Sequence, residues 1–263
     1  MSLALRQRLA SAIVLGPLVV AAIVLGEPWS LLLLIFVVVA LAWEWTRLTL
    51  PQFVLLAFLS LVAGPMAAVI LASRDQWALG LLALLVSGLL AMLISRQQQD
   101  GQGLWLLLGA FYIGLPALAL YWLRDIHPEG LGWTLWLVAI VWAVDVFAYL
   151  VGSQVGGPKL WPRLSPRKTW SGFAGGTAAG LGMGLLGGLW LETTALWVLA
   201  ALAFLLVLVT QAGDLFESAI KRRFGVKDAG SLIPGHGGLL DRVDGLLPAS
   251  IALAVALWLG VQG

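Results

Sequence analysis

Apolar residues run through this chain in long unbroken blocks. Nine blocks of spanning or near-spanning length lie near residues 9–26, 28–43, 51–72, 77–94, 103–123, 131–152, 171–190, 195–213 and 245–262. Strands facing lipid would alternate apolar and polar residues, so the blocks predict helices and exclude an outer-membrane barrel. A span needs about 20 apolar residues, which leaves the second block short. Arg6 and Arg8 precede the first block as they would in a signal peptide. No clear small-residue cleavage site follows and another span comes at once, so the first block reads as an uncleaved helix.

The polar positions between the blocks predict which side each loop faces. With the N-terminus inside and strict alternation, the inside loops hold Arg6, Arg8, Arg47, Arg96, Lys159, Arg163, Arg167, Lys168, Lys221, Arg222, Arg223, Lys227 and Arg242. The outside loops hold only Arg74 and Arg124. Thirteen of the fifteen Lys and Arg on one side predict a cytoplasmic N-terminus, an external C-terminus and nine spans. Trp29, Trp43, Trp45, Trp77, Trp105, Trp122 and Trp133 fall near predicted helix ends, and an interfacial belt accounts for most of them.

Composition agrees. The 263 residues are 61% hydrophobic and 11% charged, with mean hydropathy +0.99. The expected fold is an all-α, polytopic integral membrane protein of about nine transmembrane helices. There is no cysteine, which removes disulfides and thiolate metal sites, and two histidines are too few for a typical zinc site. Residues 1–130 read as a scaffold of plain apolar helices. Residues 131–263 read as a catalytic region with two cytoplasmic loops, 153–170 and 218–242. The two halves do not look alike, which weighs against an inverted-repeat transporter.

Unusual polar residues concentrate at those loops. Asp145 lies within an apolar helix, where a carboxylate costs about 2.5–3.5 kcal/mol and calls for a polar partner or cavity. Beyond it, Ser165-Pro-Arg-Lys168-Thr169-Trp170 sets hydroxyls around cations, a plausible phosphate cradle, with simple membrane anchoring by cations as the alternative. Gly152 to Lys159 is glycine-rich, but Pro158 and Leu160 break the Walker A pattern. Asp214, Glu217, Ser218 and Lys221 share a helix face by spacing. Asp241 and Asp244 share another at the head of the last helix, where capping suits Asp244 as well as catalysis does. Gly237 and Gly238 allow a close backbone approach, and His236 suits a phosphate better than a metal.

The stretch from Ser218 to Asp244, SAIKRRFGVKDAGSLIPGHGGLLDRVD, resembles the signature of the phosphatidate cytidylyltransferases (CDP-diglyceride synthases). Ser218, Lys221, Arg222, Lys227, Asp228, Gly230, Ile233, Pro234, His236, Gly237, Gly238, Asp241, Arg242 and Asp244 occupy matching places. Ser165-Pro-x-Lys168-Thr169-Trp170 resembles a second family block, with Ser171 standing where glutamate is expected. The resemblance covers about residues 140–250. It implies that CTP and phosphatidic acid give CDP-diacylglycerol and pyrophosphate at a cytoplasm-facing site in the inner membrane. It implies a two-cation centre with Asp214 and Asp241 as principal ligands; Asp145, Glu217 and Asp244 are further candidates. Mg²⁺ is favoured, with Mn²⁺ or a monovalent second ion left open. Lys221, Arg222, Lys227, His236 and Arg242 would meet CTP or lipid phosphate. Ser165, Lys168, Thr169, Ser218, Gly237 and Gly238 would help hold the substrates. A homodimer is implied, and no nucleic-acid partner is expected.

Gly172, Gly176, Gly180, Gly184 and Gly188 recur every four residues and predict one very closely packed helix face, with a lateral groove for acyl chains as the functional alternative. A lipid or polyprenol kinase and an ion-coupled transporter are the competing functions. The acidic motif of CDP-alcohol phosphotransferases is absent. The predicted sidedness has a direct check. Ser231→Cys introduces a single thiol into a cysteine-free chain. It is expected to resist an impermeant maleimide added outside intact cells and to react once the membrane is opened; labelling from outside would reverse the topology.

Overall fold

The computed structural model describes residues 3–50, 52, 54–96, 102–187, 191, 195–233 and 237–261, and the side chains of all these except 3–12, 96, 126 and 261. The side chains of Arg6, Arg8 and Arg96 lie outside the described ones, as do Gly188 and residues Pro234, Gly235 and His236. The described residues form ten helices, one π-helical turn and one two-stranded hairpin. This is a helical, multi-pass membrane protein. Among the described residues six helices are long and apolar enough to cross a bilayer: Trp29–Thr49, Leu55–Ala72, Trp77–Ser95, Gly103–Asp125, Gly130–Val155 and Leu196–Arg223. The apolar stretches Ile13–Leu25 and Leu246–Gly260 are shorter.

The chain divides into two compact units, Met1–His127 with Asp228–Arg242, and Pro128–Lys227 with Val243–Gly263. In the first, α1 (Leu3–Leu25), α2 (Trp29–Thr49), α3 (Leu55–Ala72), α4 (Trp77–Arg96) and α5 (Gly103–Tyr121) form the helical body. The second apolar block is thus not short. Thr46 and Thr49 return their hydroxyls to the carbonyls of Ala42 and Trp45, at 2.7 and 2.8 Å, and the helix runs on to Thr49. Leu50 turns extended ahead of Pro51, where helix is disfavoured. Missing side chains let α3, α4 and α5 approach closely: a Cβ on Gly64 would lie 1.9 Å from Ser87 Oγ. Trp45 fills the notch at Gly109 and donates its indole N–H to Trp105 O at 2.8 Å. It is 1% exposed, and Trp133 is 3% exposed, so these two belong to the core and not to an aromatic belt. At the other end of α2, the Arg124 guanidinium binds the last carbonyls of α1, Ile23 O and Val24 O. Its neighbour Asp125 accepts from Ser30 Oγ at 3.0 Å.

The second unit holds α6 (Gly130–Val155), β1 (Lys159–Trp161), β2 (Ser165–Thr169), α7 (Trp170–Leu186), α8 (Leu196–Arg223) and α10 (Leu246–Val261). The short turn α9 (Leu240–Val243) precedes α10. Asp241 therefore does not head the last long helix together with Asp244, because the chain breaks at Asp244-Gly245 before α10 begins. The first polar loop is also more ordered than its sequence suggests. Gly156 and Gly157, at φ +65° and +99°, end α6, and the chain returns as an antiparallel hairpin pairing Lys159 with Thr169 and Trp161 with Ser165.

The glycine ladder on α7 packs within this unit. Cβ atoms on Gly172 and Gly176 would meet the α6 carbonyls of Ala148 and Val144 at 2.6 and 2.9 Å. One on Gly180 would meet Val207 at 2.4 Å, and one on Gly184 would meet Ala203 Cβ at 2.2 Å, both on α8. Gly182 has nothing within 4 Å. Gly184→Ala is expected to cost about 1–3 kcal/mol through forced overpacking. Gly182→Ala should be neutral or slightly stabilising by helix propensity. Thermal unfolding in detergent, followed by tryptophan fluorescence, separates the two.

Candidate active site

In the second unit, four carboxylates come from three places: Asp145 on α6, Asp214 and Glu217 on α8, and Asp244 just before α10. Glycines make the gathering feasible. A Cβ on Gly213 would lie 2.6 Å from Asp244 O and 2.6 Å from Pro248 Cγ. One on Gly245 would lie 2.7 Å from Thr210 Cγ2. These two bare positions let the chain before α10 press against α8 one residue from each aspartate. Sequence reading passed over both, although Gly213-Asp214 and Asp244-Gly245 stand side by side as a signal.

The helix face predicted on α8 forms. Lys221 pairs with Glu217 at 2.5 Å, one turn away, and Glu217 is 1% exposed. Asp214 is paired with Lys168 on β2, so the hairpin carries the second family block onto α8. Asp145 is exposed on α6, outside the buried core. Asp244 is buried and accepts the Gly245 amide at 2.8 Å. Burial pushes its carboxyl well above the ordinary carboxylate range. The charges of Asp214, Glu217 and Asp145 push the same way, and the Gly245 hydrogen bond only partly opposes them.

Such mutual repulsion among hard oxygen donors is what a divalent cation would relieve, so the donor set fits Mg²⁺ in type and charge. Among the described residues no three carboxylates or histidines yet converge closely enough to hold an ion. Asp214 and Glu217 are drawn to lysines instead.

Thr169 is 4% exposed and caps α7, its hydroxyl accepting the Gly172 amide at 3.1 Å. Ser171, in the glutamate position of the family block, shares a hydrogen bond with Thr169 and donates to Gly156 O. Ser165 is half-buried at the hairpin turn and Ser218 is half-buried on α8. Arg222 donates to Leu164 O and Val226 O, both at 3.2 Å, and Lys227 is exposed.

The rest of the signature lies in the first unit, where Arg242 is exposed. Asp241 Oδ2 accepts the amides of Ala229 at 3.0 Å and Gly238 at 2.9 Å, and Ile233 and Gly237 form a β-bridge. Gly237 sits at φ +89°, where a side chain would be strained. The residue that sequence reading missed is Glu44 on α2, 2% exposed. Its carboxylate accepts the amides of Leu239 and Leu240 at 2.9 and 2.7 Å. A lone acid directly after the second apolar block, between two tryptophans, was the available signal.

The chain matches the cytidylyltransferase family over residues 6–259 and belongs to it. It is therefore a nucleotidyltransferase set in a membrane. It is 42% identical over 249 residues to the phosphatidate cytidylyltransferase of Brucella abortus biovar 1 (strain 9-941), covering 95% of this chain and 92% of that one. The phosphatidate cytidylyltransferase of Mycobacterium bovis (strain ATCC BAA-935 / AF2122/97) is 43% identical over 135 residues, 51% of this chain and 44% of that one. The phosphatidate cytidylyltransferase of Staphylococcus saprophyticus is 41% identical over 142 residues, 54% of each chain.

Asp244 gives a pH test. Its proton is held more tightly in the folded chain than in the unfolded one, whose ordinary value is 3.8. Stability in metal-free solution should therefore be fullest below that value and fall as pH rises toward the raised folded value. Asp244→Asn keeps the acceptor for Gly245 and is expected to flatten that fall, leaving the variant more stable than the parent at neutral pH. Unfolding curves collected with chelator across the acidic-to-neutral range would read this out.

Proposed function

We propose that this chain transfers the cytidylyl group of CTP to phosphatidic acid, releasing pyrophosphate and giving CDP-diacylglycerol. The observation that carries the reading is the end-to-end relationship to a phosphatidate cytidylyltransferase, 42% identity over 95% of the chain, together with the carboxylate and lysine cluster built from the matching motifs. The lipid phosphate is already an anion and needs no strong base to attack the α-phosphorus of CTP. The obstacle is bringing two polyanions together, so charge neutralisation and positioning supply the rate.

Asp214, Glu217, Asp244 and Asp145 are the residues that would hold the divalent cation in the second unit, and Asp241 carries the same expectation by resemblance. A bound Mg²⁺ would neutralise phosphate charge at the reacting centre. Lys168 and Lys221 are the cations best placed to take up phosphate when they leave their carboxylate partners. Arg222, Lys227 and Arg242 are exposed cations available to CTP. The proposal includes nine crossings, a cytoplasmic N-terminus, an inner-membrane location and a homodimer. The alternation in the first unit supports the topology: Arg124 joins the ends of α1 and α5, while the signature loop binds near the opposite end of α2.

Purified protein in mixed micelles with phosphatidic acid, CTP and Mg²⁺ is expected to release pyrophosphate only when all three are present, and to make a cytidine-bearing lipid. ATP-dependent lipid phosphorylation instead would overturn the reading. Asp241→Asn can still receive the Ala229 and Gly238 amides through its side-chain oxygen, so the loop should persist while the charge is lost. Turnover is expected to drop by about 100-fold or more; near-normal turnover would take Asp241 out of the site.

A further inference from the structure

Glu44 stands 195 residues before the amides it binds. One carboxylate oxygen receives Leu239 N and the other receives Leu240 N, so both ends of the acid are used on consecutive peptide groups. Charge-assisted bonds of this kind are the stronger ones, and the paired geometry fixes direction as well as distance. Two glycines of the signature leave the room. A Cβ on Gly230 would lie 2.5 Å from Glu44 Oε1, and one on Gly238 would lie 2.8 Å from Oε2. The loop is closed on its other side by Asp241, which takes the amides of Ala229 and Gly238. The backbone of the signature is thus strung between an acid on a scaffold helix and an acid of its own. Asp241 and Arg242 follow directly on the two amides that Glu44 holds.

We propose that Glu44 is a positioning residue for cytidylyl transfer. It anchors Leu239 and Leu240, and through them sets the direction in which Asp241 and Arg242 are presented, without touching either substrate. The assignment rests on the function proposed above. It gives α2 a part in the reaction, beyond its span of the bilayer. It also supplies a reason for glycine at positions 230 and 238: any side chain there would displace the acid or the loop.

The test pairs kinetics with a readout that needs no activity. Glu44→Gln keeps one acceptor but sets an amide N–H₂ against the second backbone donor. It is expected to lower kcat by about 100-fold, as for a misplacement of about 1 Å, with KM for CTP changed less than about two-fold because no substrate contact is lost. Gly230→Ala is expected to do the same by steric displacement, and to cost little further in a Glu44→Ala background, since the two act through one contact. A spin label on Ser231→Cys should become mobile in Glu44→Gln, while a label on Arg74→Cys, in the same unit, should not change. The label result stands even if the wild-type chain shows no cytidylyl transfer, so failure of the functional reading and failure of the anchor are distinguishable. An unchanged label at 231 overturns the proposal whatever the kinetics, and so does mobility gained equally at both positions, which would mean general loss of fold. Normal kcat in both Glu44→Gln and Gly230→Ala overturns it as well.

Discussion

An acid on a membrane helix must be satisfied inside the protein, and this requirement organises both units. A carboxylate at membrane depth costs about 2.5–3.5 kcal/mol, and lipid offers it nothing in return. The chain carries only thirteen acidic residues, so each buried one needs a specific partner. Glu44 takes two backbone amides, Glu217 takes Lys221 and Asp214 takes Lys168. Asp244 is the exception: besides the Gly245 amide it meets mainly other negative charges. Under the function proposed above, that unrelieved negative charge is what a bound cation would neutralise.

Close packing makes the arrangement rigid enough to matter. Helices in lipid gain little from hydrophobic burial and associate through small residues and tight contact. In the first unit Gly64 and Gly109 seat Ser87 and Trp45. In the second, the α7 ladder packs against the backbone of α6 and against the Val207 and Ala203 side chains of α8, and Gly213 and Gly245 bring the two aspartate-bearing segments together. The predicted tight face on α7 is accounted for by neighbours inside the unit at each of its four described glycines.

Much of this was legible in the sequence. Continuous apolar blocks announced helices, since hydropathy over about 20 residues is a local property. The face linking Glu217 to Lys221 followed from a spacing of four. The signature from Ser218 to Asp244 was legible as a string, and the family relationship agrees with it. The β-hairpin at 159–169 was hidden, because a pair of strands three and five residues long carries too little periodicity to announce itself. That Trp45 and Trp133 are buried was hidden for a related reason: nearness to a helix end places a tryptophan along the membrane normal but says nothing about which way it faces.

The sequence by itself determined the class of protein, the helical register of its charged faces and the motif that marks its family. All three depend on residues close together in the chain. Only the tertiary structure decided which acids hold backbone and which meet charge. Glu44 drew no notice in the sequence, and Asp241 stood out only as part of the signature; the fold shows that both receive amides of the signature loop. Thr169, whatever its part in substrate binding, caps a helix. The partner of a buried acid is chosen by what the fold brings within about 3 Å of it, and no local spacing encodes a contact between residues 44 and 240.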